Sequence, residues 1–398
     1  MKLNNLPLEF KQALPVLAKL QAAGFLAYFV GGSVRDSLLG RYIHDVDIAT
    51  SATPYEVKKI FCRTIDIGIE HGTVLVLIDD LSFEITTFRT EDQYQDFRRP
   101  KSVAFVRSLS DDLKRRDFTV NALAMDSSGE IIDLFDGLTD LSAKIIRAVG
   151  NPSERFGEDA LRILRAFRFV SVLGFEIDSD TLAGIAKTKH LLAHISAERI
   201  EMELSKLLVG SFYTQAIGEL LKLEVEQGFP ADITRGLKGL AKLNLPLSLE
   251  AAWVLLCYFN QSTPEEVKPL LKAFKHSNSF IKRIMRLLSG LYERLRGQWT
   301  IDSVYSYGLS DCLAIEALAD SLGQRRDDEQ IRQLFAALPI HHKTDLAING
   351  TDILAVLDKK QGSWLGEVLS ELEYQVLHGR LDNRRQDLLD YLLKLERK

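Results

Sequence analysis

Two aspartates one residue apart, Asp45 and Asp47 in the run HDVDIAT (44–50), are the residues of this chain best suited to do chemistry. On a strand, alternate side chains share a face, so both carboxylates point one way while Val46 and Ile48 point to the core. Like charges side by side repel unless a cation sits between them. A divalent metal held by two carboxylates, with water and substrate phosphates completing its shell, is the chemistry of Mg²⁺. Glu84, on a later strand with Thr86 and Phe88 on the same face, is a candidate third carboxylate.

A bare Asp-x-Asp is ordinarily a solvated strand edge, and the turn before this one argues for more. Gly31 and Gly32 end an apolar run and precede a short helical pattern, a place where glycine lets backbone N–H groups approach a phosphate. Arg35 follows one turn later, where its guanidinium can fork onto phosphate oxygens.

A second cluster lies in EDALRILRAFRF (158–169). At about 100° per residue on a helix, Asp159, Arg162, Arg165 and Arg168 form a drifting ribbon, with Leu164 and Phe167 turned away. An ionised aspartate only accepts hydrogen bonds and arginine only donates. Cytosine and adenine each present an amino donor beside a ring-nitrogen acceptor; uracil and guanine present a carbonyl beside an N–H. A fixed pair of Asp159 and Arg162 therefore matches C and A and rejects U and G. Arg165 and Arg168 are left to meet phosphates or to orient that pair.

The elements that must position these groups are legible from period and punctuation. Residues 8–23 read as an amphipathic helix, 26–32 as a buried strand ending in a turn, 35–40 as a short helix stopped by Gly40, 44–50 as a strand and 53–61 as a capped helix. Residues 73–90 give a hairpin turning at 79–82, and 90–100 reads as a mobile loop. From about 146 onward the pattern is helical: 155–173, 179–189, 197–209, 213–222, 249–260, 264–275, 278–296, 311–322, 327–338, 350–358, 363–378 and 383–396. The expected fold is an α+β head with a mixed sheet, followed by a long all-α remainder.

The bulk composition is that of a globular protein, at 398 residues, 46% hydrophobic and 26% charged, with net charge −5. No stretch offers a membrane span, no signal peptide is expected, and Cys62, Cys257 and Cys312 make neither a disulfide framework nor a zinc spacing. These features point to the cytoplasm. A net negative chain does not announce a nucleic-acid binder, yet basic clusters at 272–286, 323–332 and 379–385 fit an RNA partner.

FVGGSVRDSLLGR followed by HDVDIAT resembles the signature of class II tRNA nucleotidyltransferases and bacterial poly(A) polymerases, within the DNA polymerase β-like superfamily. The likeness continues through RRDFTVNALAMD (115–126), DLFDGLTDL (133–141), ERFGEDALRILRAFRF (154–169) and SAERIEMELSKLL (196–208), and more weakly into a tail like that of bacillus-type CCA-adding enzymes. The resemblance implies a nucleotidyltransferase head (1–148), a base-recognising neck (149–210), a body (211–305) and a tRNA-binding tail (306–398), all helical and extended after the head. It implies that Asp45 and Asp47 are catalytic metal ligands, and that Gly32, Arg35, Arg116, Asp159, Arg162, Arg165 and Arg168 bind nucleotide. Gly31, Asp117, Asn121 and Glu84 are supporting candidates, Arg116 meeting the nucleotide, Asp117 the ribose or a neighbouring side chain, and Asn121 bracing the turn. Arg115 is open between a site residue and a surface charge.

The reaction so implied is template-independent addition of C, C and A to the 3′ end of tRNA from CTP and ATP. The family often forms homodimers. Retention of the 90–103 segment favours CCA or A addition over CC addition, and the lack of a long basic C-terminal extension argues against poly(A) polymerase. Three other readings stay open: an A-adding or poly(A)-adding enzyme, an inactive nucleotidyltransferase-like RNA-binding protein, and a metal phosphohydrolase using His44 and Asp45.

Overall fold

The computed structural model describes residues 1–395 apart from 92–93, 96–98, 101–102 and 358, and no side chain from 91 to 103. Contacts divide the chain into two units, Met1–Ala252 with Pro269–His276, and Trp253–Lys268 with Ser277–Lys398.

The first unit carries the sheet. Its strands, in chain order, are β1 (Ala27–Val30), β2 (Asp47–Thr50), β3 (Thr64–Gly68), β4 (Thr73–Ile78), β5 (Leu81–Thr87), β6 (Arg89–Glu91), β7 (Tyr94–Gln95), β8 (Arg99–Pro100), β9 (Val103–Phe105), β10 (Leu123–Met125), β11 (Ile131–Asp133), β12 (Ile145–Ile146) and β13 (Glu176–Ile177). Seven of them form one mixed sheet in the order β11-β10-β1-β2-β5-β4-β3, with β2 and β5 parallel. The hairpin expected over 73–90 is β4 and β5, turned at Asp79, which takes a positive φ of 52°. Of the loop expected at 90–100, residues 92–93 and 96–98 lie outside the described residues; the described backbone pairs β6 with β9 and β7 with β8.

Helices α1 (Leu8–Ala22), α2 (Gly32–Leu38), α3 (Pro54–Ile60), α4 (Leu109–Lys114) and α5 (Gly137–Ala143) accompany these strands. Helix α1 buries Phe10, Ala13, Val16, Leu17 and Leu20, the stripe its 3.6-residue period demands. Thr53 begins α3 with a capping box: its hydroxyl accepts from Glu56 N–H while Glu56 accepts from Thr53 N–H. Five more helices follow within 149–222: α6 (Pro152–Glu158), α7 (Leu161–Leu173), α8 (Ser179–Thr188), α9 (Ala197–Leu208) and α10 (Tyr213–Lys222). A further helix, α11 (Thr234–Leu240), is short and was not expected from the sequence.

Three expectations need correction. The 44–50 strand starts only at Asp47, so Asp45 precedes it in irregular chain, although Val46 and Ile48 are buried as the alternation requires. Phe88 lies past the end of β5 and is fully buried in the core with Val30, Ala49, Leu113 and Ala124, not on an open face with Glu84. The 155–173 pattern is two helices, α6 and α7, parted at Asp159, whose φ of −140° and ψ of 102° are extended.

The second unit is helical. Helices α12 (Leu249–Phe259) and α13 (Pro264–Ala273) each have residues in both units, and α14 (Asn278–Arg296), α15 (Ile301–Ser321), α16 (Asp328–Ala336), α17 (Gly350–Leu357), α18 (Trp364–Leu377) and α19 (Arg385–Leu395) complete the chain. Helix α15 begins ten residues before the expected 311 and is kinked at Gly308 (φ 73°, ψ 163°). Its fully buried Glu316 accepts from Arg294 at 2.6 and 3.1 Å and from the Trp299 indole at 2.8 Å. Ile340, Leu346, Ile348, Ile353, Leu372, Val376, Leu388 and Leu392 form a separate apolar core.

Candidate active site

Antiparallel pairing of β1 with β2 sets Val30 opposite Asp47, which brings the glycine turn and the second aspartate together. Gly31 leaves β1 with φ 71° and ψ −134°, a backbone region essentially restricted to glycine. A Cβ there would also stand 2.9 Å from Arg116 Nη1. The turn thus uses both properties of glycine, its conformational freedom and its lack of a side chain.

Arg35, buried on α2, is gripped from two sides. Its Nε and Nη2 donate to the two oxygens of Asp36, each at 2.9 Å, and its Nη1 donates to Asn121 Oδ1 at 2.5 Å. Asn121 in turn donates through Nδ2 to Asp117 Oδ1 at 3.1 Å. Asp117 also accepts from its neighbour Phe118 N–H at 2.8 Å, and from Arg165 through Nε at 2.7 Å and through Nη2. Burial alone would raise the Asp117 acid, but Arg165, Asn121 and Arg162 hold it far below the usual carboxylate range. Asn121 is therefore the link between the turn arginine and the α7 arginine. Arg116 reaches the Asn121 carbonyl and Asp112 Oδ2, both at 3.3 Å, while Arg115 pairs with the same buried Asp112 at 2.6 Å.

The break between α6 and α7 changes the geometry expected for the base-reading pair. Asp159 is not on the α7 ribbon; from the junction its Oδ1 accepts from Leu161 N–H at 3.1 Å, and its two oxygens accept from Arg199 of α9 at 3.2 and 2.7 Å. Arg162 donates to Glu158 at 2.8 Å and to the carbonyls of Arg155 and Arg115 at 3.2 and 3.1 Å. Acceptor and donor are each anchored separately. Arg168 forms an ion pair with buried Glu203 at 2.7 Å, and Arg165 lies 3.7 Å from the same carboxylate.

These groups line one open cavity of about 830 Å³. Gly31, Gly32, Arg35, Asp47, Arg116, Asp117, Asn121, Asp159, Arg162, Arg165 and Arg168 all contribute to its wall. Asp45 and Glu84 do not, although both act on Asp47 electrostatically. The wall carries eight arginines against three aspartates, so it is strongly positive in a chain of net charge −5. Such a cavity concentrates anions. Its wall also includes Arg89, Arg115, Phe169 and Arg199, which sequence reasoning did not assign to the site. Arg199 stands in the quoted run 196–208, but only the fold shows that it reaches Asp159.

Asp47 keeps contact with water because it lines an open cleft, yet its acid is raised to about 6. Burial among protein atoms is the largest cause, Arg116 opposes it, and Glu84 and Asp45 push it further up. Carboxylates gathered near one another in this way favour a cation. Among the described residues no group of three or more histidines, cysteines or acids forms a ready-made metal cage. A donor set of two neighbouring aspartates, as the sequence reading expects of Asp45 and Asp47, would leave the remaining positions to water and phosphate, which fits Mg²⁺ better than a metal needing a full protein shell.

Three family profiles match the chain: "Poly A polymerase head domain" over 27–147, "Probable RNA and SrmB-binding site of polymerase A" over 174–231, and "tRNA nucleotidyltransferase domain 2" over 247–392. The CCA-adding enzyme of Enterococcus faecalis is 50% identical over 99% of this chain and 98% of its own length. That of Streptococcus suis is 46% identical over 98% of each. The crystal structure of the Bacillus stearothermophilus CCA-adding enzyme in complex with CTP superposes with a TM-score of 0.90 at 41% identity, covering 98% of both chains. With this coverage from end to end, the chain belongs to the CCA-adding enzymes, the tRNA nucleotidyltransferases built on a poly(A)-polymerase-type head.

Proposed function

We propose that the chain adds C, C and A in turn to the 3′ end of tRNA from CTP and ATP, releasing pyrophosphate at each addition, with the base chosen by protein side chains. The observation that carries this reading is the arginine-lined cavity in which Asp47, the glycine turn and the anchored Asp159 and Arg162 meet. The printed description of the B. stearothermophilus relative, a complex with CTP, accords with it.

In this reading the tRNA 3′-hydroxyl attacks the α-phosphorus of the nucleotide, and the bond to the bridging oxygen of pyrophosphate breaks. Asp45 and Asp47 would hold Mg²⁺, which when bound lowers the pKa of the attacking hydroxyl and offsets charge on the leaving oxygens. The N–H of Gly32, together with Arg35 and Arg116, takes the triphosphate, while the Gly31 N–H holds the turn by donating to the Leu123 carbonyl at 3.2 Å. Asp117 and Asn121 position Arg165 and Arg35 from behind. Asp159 accepts from the amino group of cytosine or adenine while Arg162 donates to the adjacent ring nitrogen. Arg199 keeps Asp159 aimed, because a carboxylate bridged by a guanidinium cannot turn away without losing two charged hydrogen bonds.

The division into head (1–148), neck (149–210), body (211–305) and tRNA-binding tail (306–398) belongs to the same reading, as do residence in the cytoplasm and a homodimer. No helix among the described residues is long and apolar enough to cross a membrane. Light scattering of the purified protein tests the dimer.

The decisive assay presents three tRNAs, ending at the discriminator base, in C, and in CC, with CTP, ATP or both. Full CCA addition requires that the first accept two C and then one A. Incorporation of A alone, confined to the tRNA ending in CC, would make the chain an A-adding enzyme, and no metal-dependent incorporation at all would leave only RNA binding.

A further inference from the structure

Phe169 follows Arg168 on α7, and its ring belongs to the cavity wall although the residue is only 4% exposed. Three guanidinium groups surround it, with their central carbons 4.5 Å (Arg168), 5.1 Å (Arg35) and 5.5 Å (Arg165) from the ring centroid. Phe118 packs against it edge-on, at 5.7 Å and 83°, and fixes its plane. Arg35 comes from α2 and the other two from α7, so one ring joins arginines of two separate elements.

Crowded guanidinium groups repel one another. Arg168 is pushed below the ordinary arginine value by burial, with Arg165 and Arg35 adding to the effect and Glu203 opposing it. A further carboxylate would relieve the repulsion, but it would take N–H donors and cancel positive charge, both of which a triphosphate needs. The face of an aromatic ring does neither: its quadrupole attracts the cation and leaves the N–H groups in the guanidinium plane.

We propose that Phe169 is a positioning residue for nucleotide binding, a neutral platform that holds Arg35, Arg165 and Arg168 in one charged constellation facing the triphosphate. The proposal rests on the reading that these arginines meet the nucleotide.

The test replaces Phe169, in the full chain, with phenylalanines of increasing ring fluorination, which drains the negative ring face with little change of volume. KM and kcat for CTP are measured on a tRNA ending in C, beside Phe169→Leu, Phe169→Tyr, Arg35→Met and Arg165→Met. The expected result is a stepwise rise of KM with each fluorine, reaching about tenfold for the fully fluorinated ring, the size of a partly desolvated cation–π contact. In that result kcat stays nearly constant, Phe169→Leu matches the end of the series, and Phe169→Tyr stays near the parent. A KM that is flat along the series while either arginine variant raises it overturns the role of Phe169 and leaves the site reading standing. If neither arginine variant raises KM, the arginine reading fails and this proposal falls with it. Because every member of the series keeps the ring, a folding defect of Phe169→Leu cannot decide the outcome.

Discussion

Asp117→Asn keeps the shape of the side chain and removes its charge. Asp117 is 7% exposed, and each of its oxygens is engaged: Oδ1 by Phe118 N–H at 2.8 Å and Asn121 at 3.1 Å, Oδ2 by Arg165. An amide has one oxygen to offer. With the oxygen at the Oδ1 position, the new NH₂ faces the Arg165 guanidinium, donor against donor; flipped, it faces Phe118 N–H and Asn121. Breaking a buried ion pair by removing one partner costs about 3–5 kcal/mol, and the partial exposure of Arg165 places this case near about 3 kcal/mol. A second effect is transmitted, since Asn121 loses the anchor from which it holds Arg35 at 2.5 Å. Loosening one charged hydrogen bond to an arginine proposed to meet the nucleotide is worth about 1.5 kcal/mol, or roughly a tenfold rise in KM for CTP. Urea unfolding followed by hydrogen exchange of peptides spanning 109–126 and 161–173 reads the stability locally, and steady-state kinetics read KM. A stability loss under about 1 kcal/mol, the worth of an exposed ion pair, together with an unchanged KM would refute the idea that Asp117 braces both arginines.

Other consequences are as specific. Asp45→Ala and Asp47→Ala should each abolish nucleotidyl transfer while tRNA still binds in a gel-shift assay; normal turnover of either would remove that residue from the metal site. Gly31→Ala imposes a side chain on a glycine-only conformation, costing about 1–3 kcal/mol, and drives its Cβ against Arg116, so the apparent CTP affinity should fall at least tenfold; unchanged affinity would show that the turn relaxes freely. In the second unit burial would raise the Glu316 acid, but Arg294, Trp299 and the Asp327 N–H outweigh it and lower the value. A depressed folded pKa contributes stability that is complete above the unfolded value and is lost as pH falls through the folded one. Glu316→Gln should therefore destabilise this unit at pH 7 by about 3 kcal/mol, with the gap to the parent closing below about pH 4. Fluorescence reads it cleanly, because Trp253, Trp299 and Trp364 all lie in the second unit, and a gap that persists into acid would contradict the assignment.

Much of the head could be read from the chain because its signals are local. A 3.6-residue stripe announces α1, Thr53 with Glu56 announces α3, and β-rich runs around a polar turn announce the hairpin of β4 and β5. The glycine turn and Asp47 were legible for the same reason, each sitting beside the end of an apolar run. What escaped depends on the fold. The α6–α7 break was hidden because GEDALRIL keeps a helical pattern across it; the available signals were Gly157, a weak helix former, and an aspartate two residues before Leu161, whose N–H it caps. Arg199 lies 40 residues from Asp159, and only the packing of α9 on α7 brings them together. Phe169 reads as an ordinary core ring in sequence, since its three arginine neighbours come from two elements. Short helices such as α11 owe their existence to packing more than to propensity.

In the proposed reaction, protein groups, with no nucleic-acid template, select cytosine and adenine. Single-turnover incorporation of CTP, ATP, UTP and GTP by the parent chain and by Asp159→Ala, on tRNAs ending in C and in CC, tests it most directly. The parent should reject UTP and GTP, and the variant should lose most of this discrimination while still binding triphosphate. An Asp159→Ala enzyme that is slower but keeps the parent's preference for C and A would contradict it.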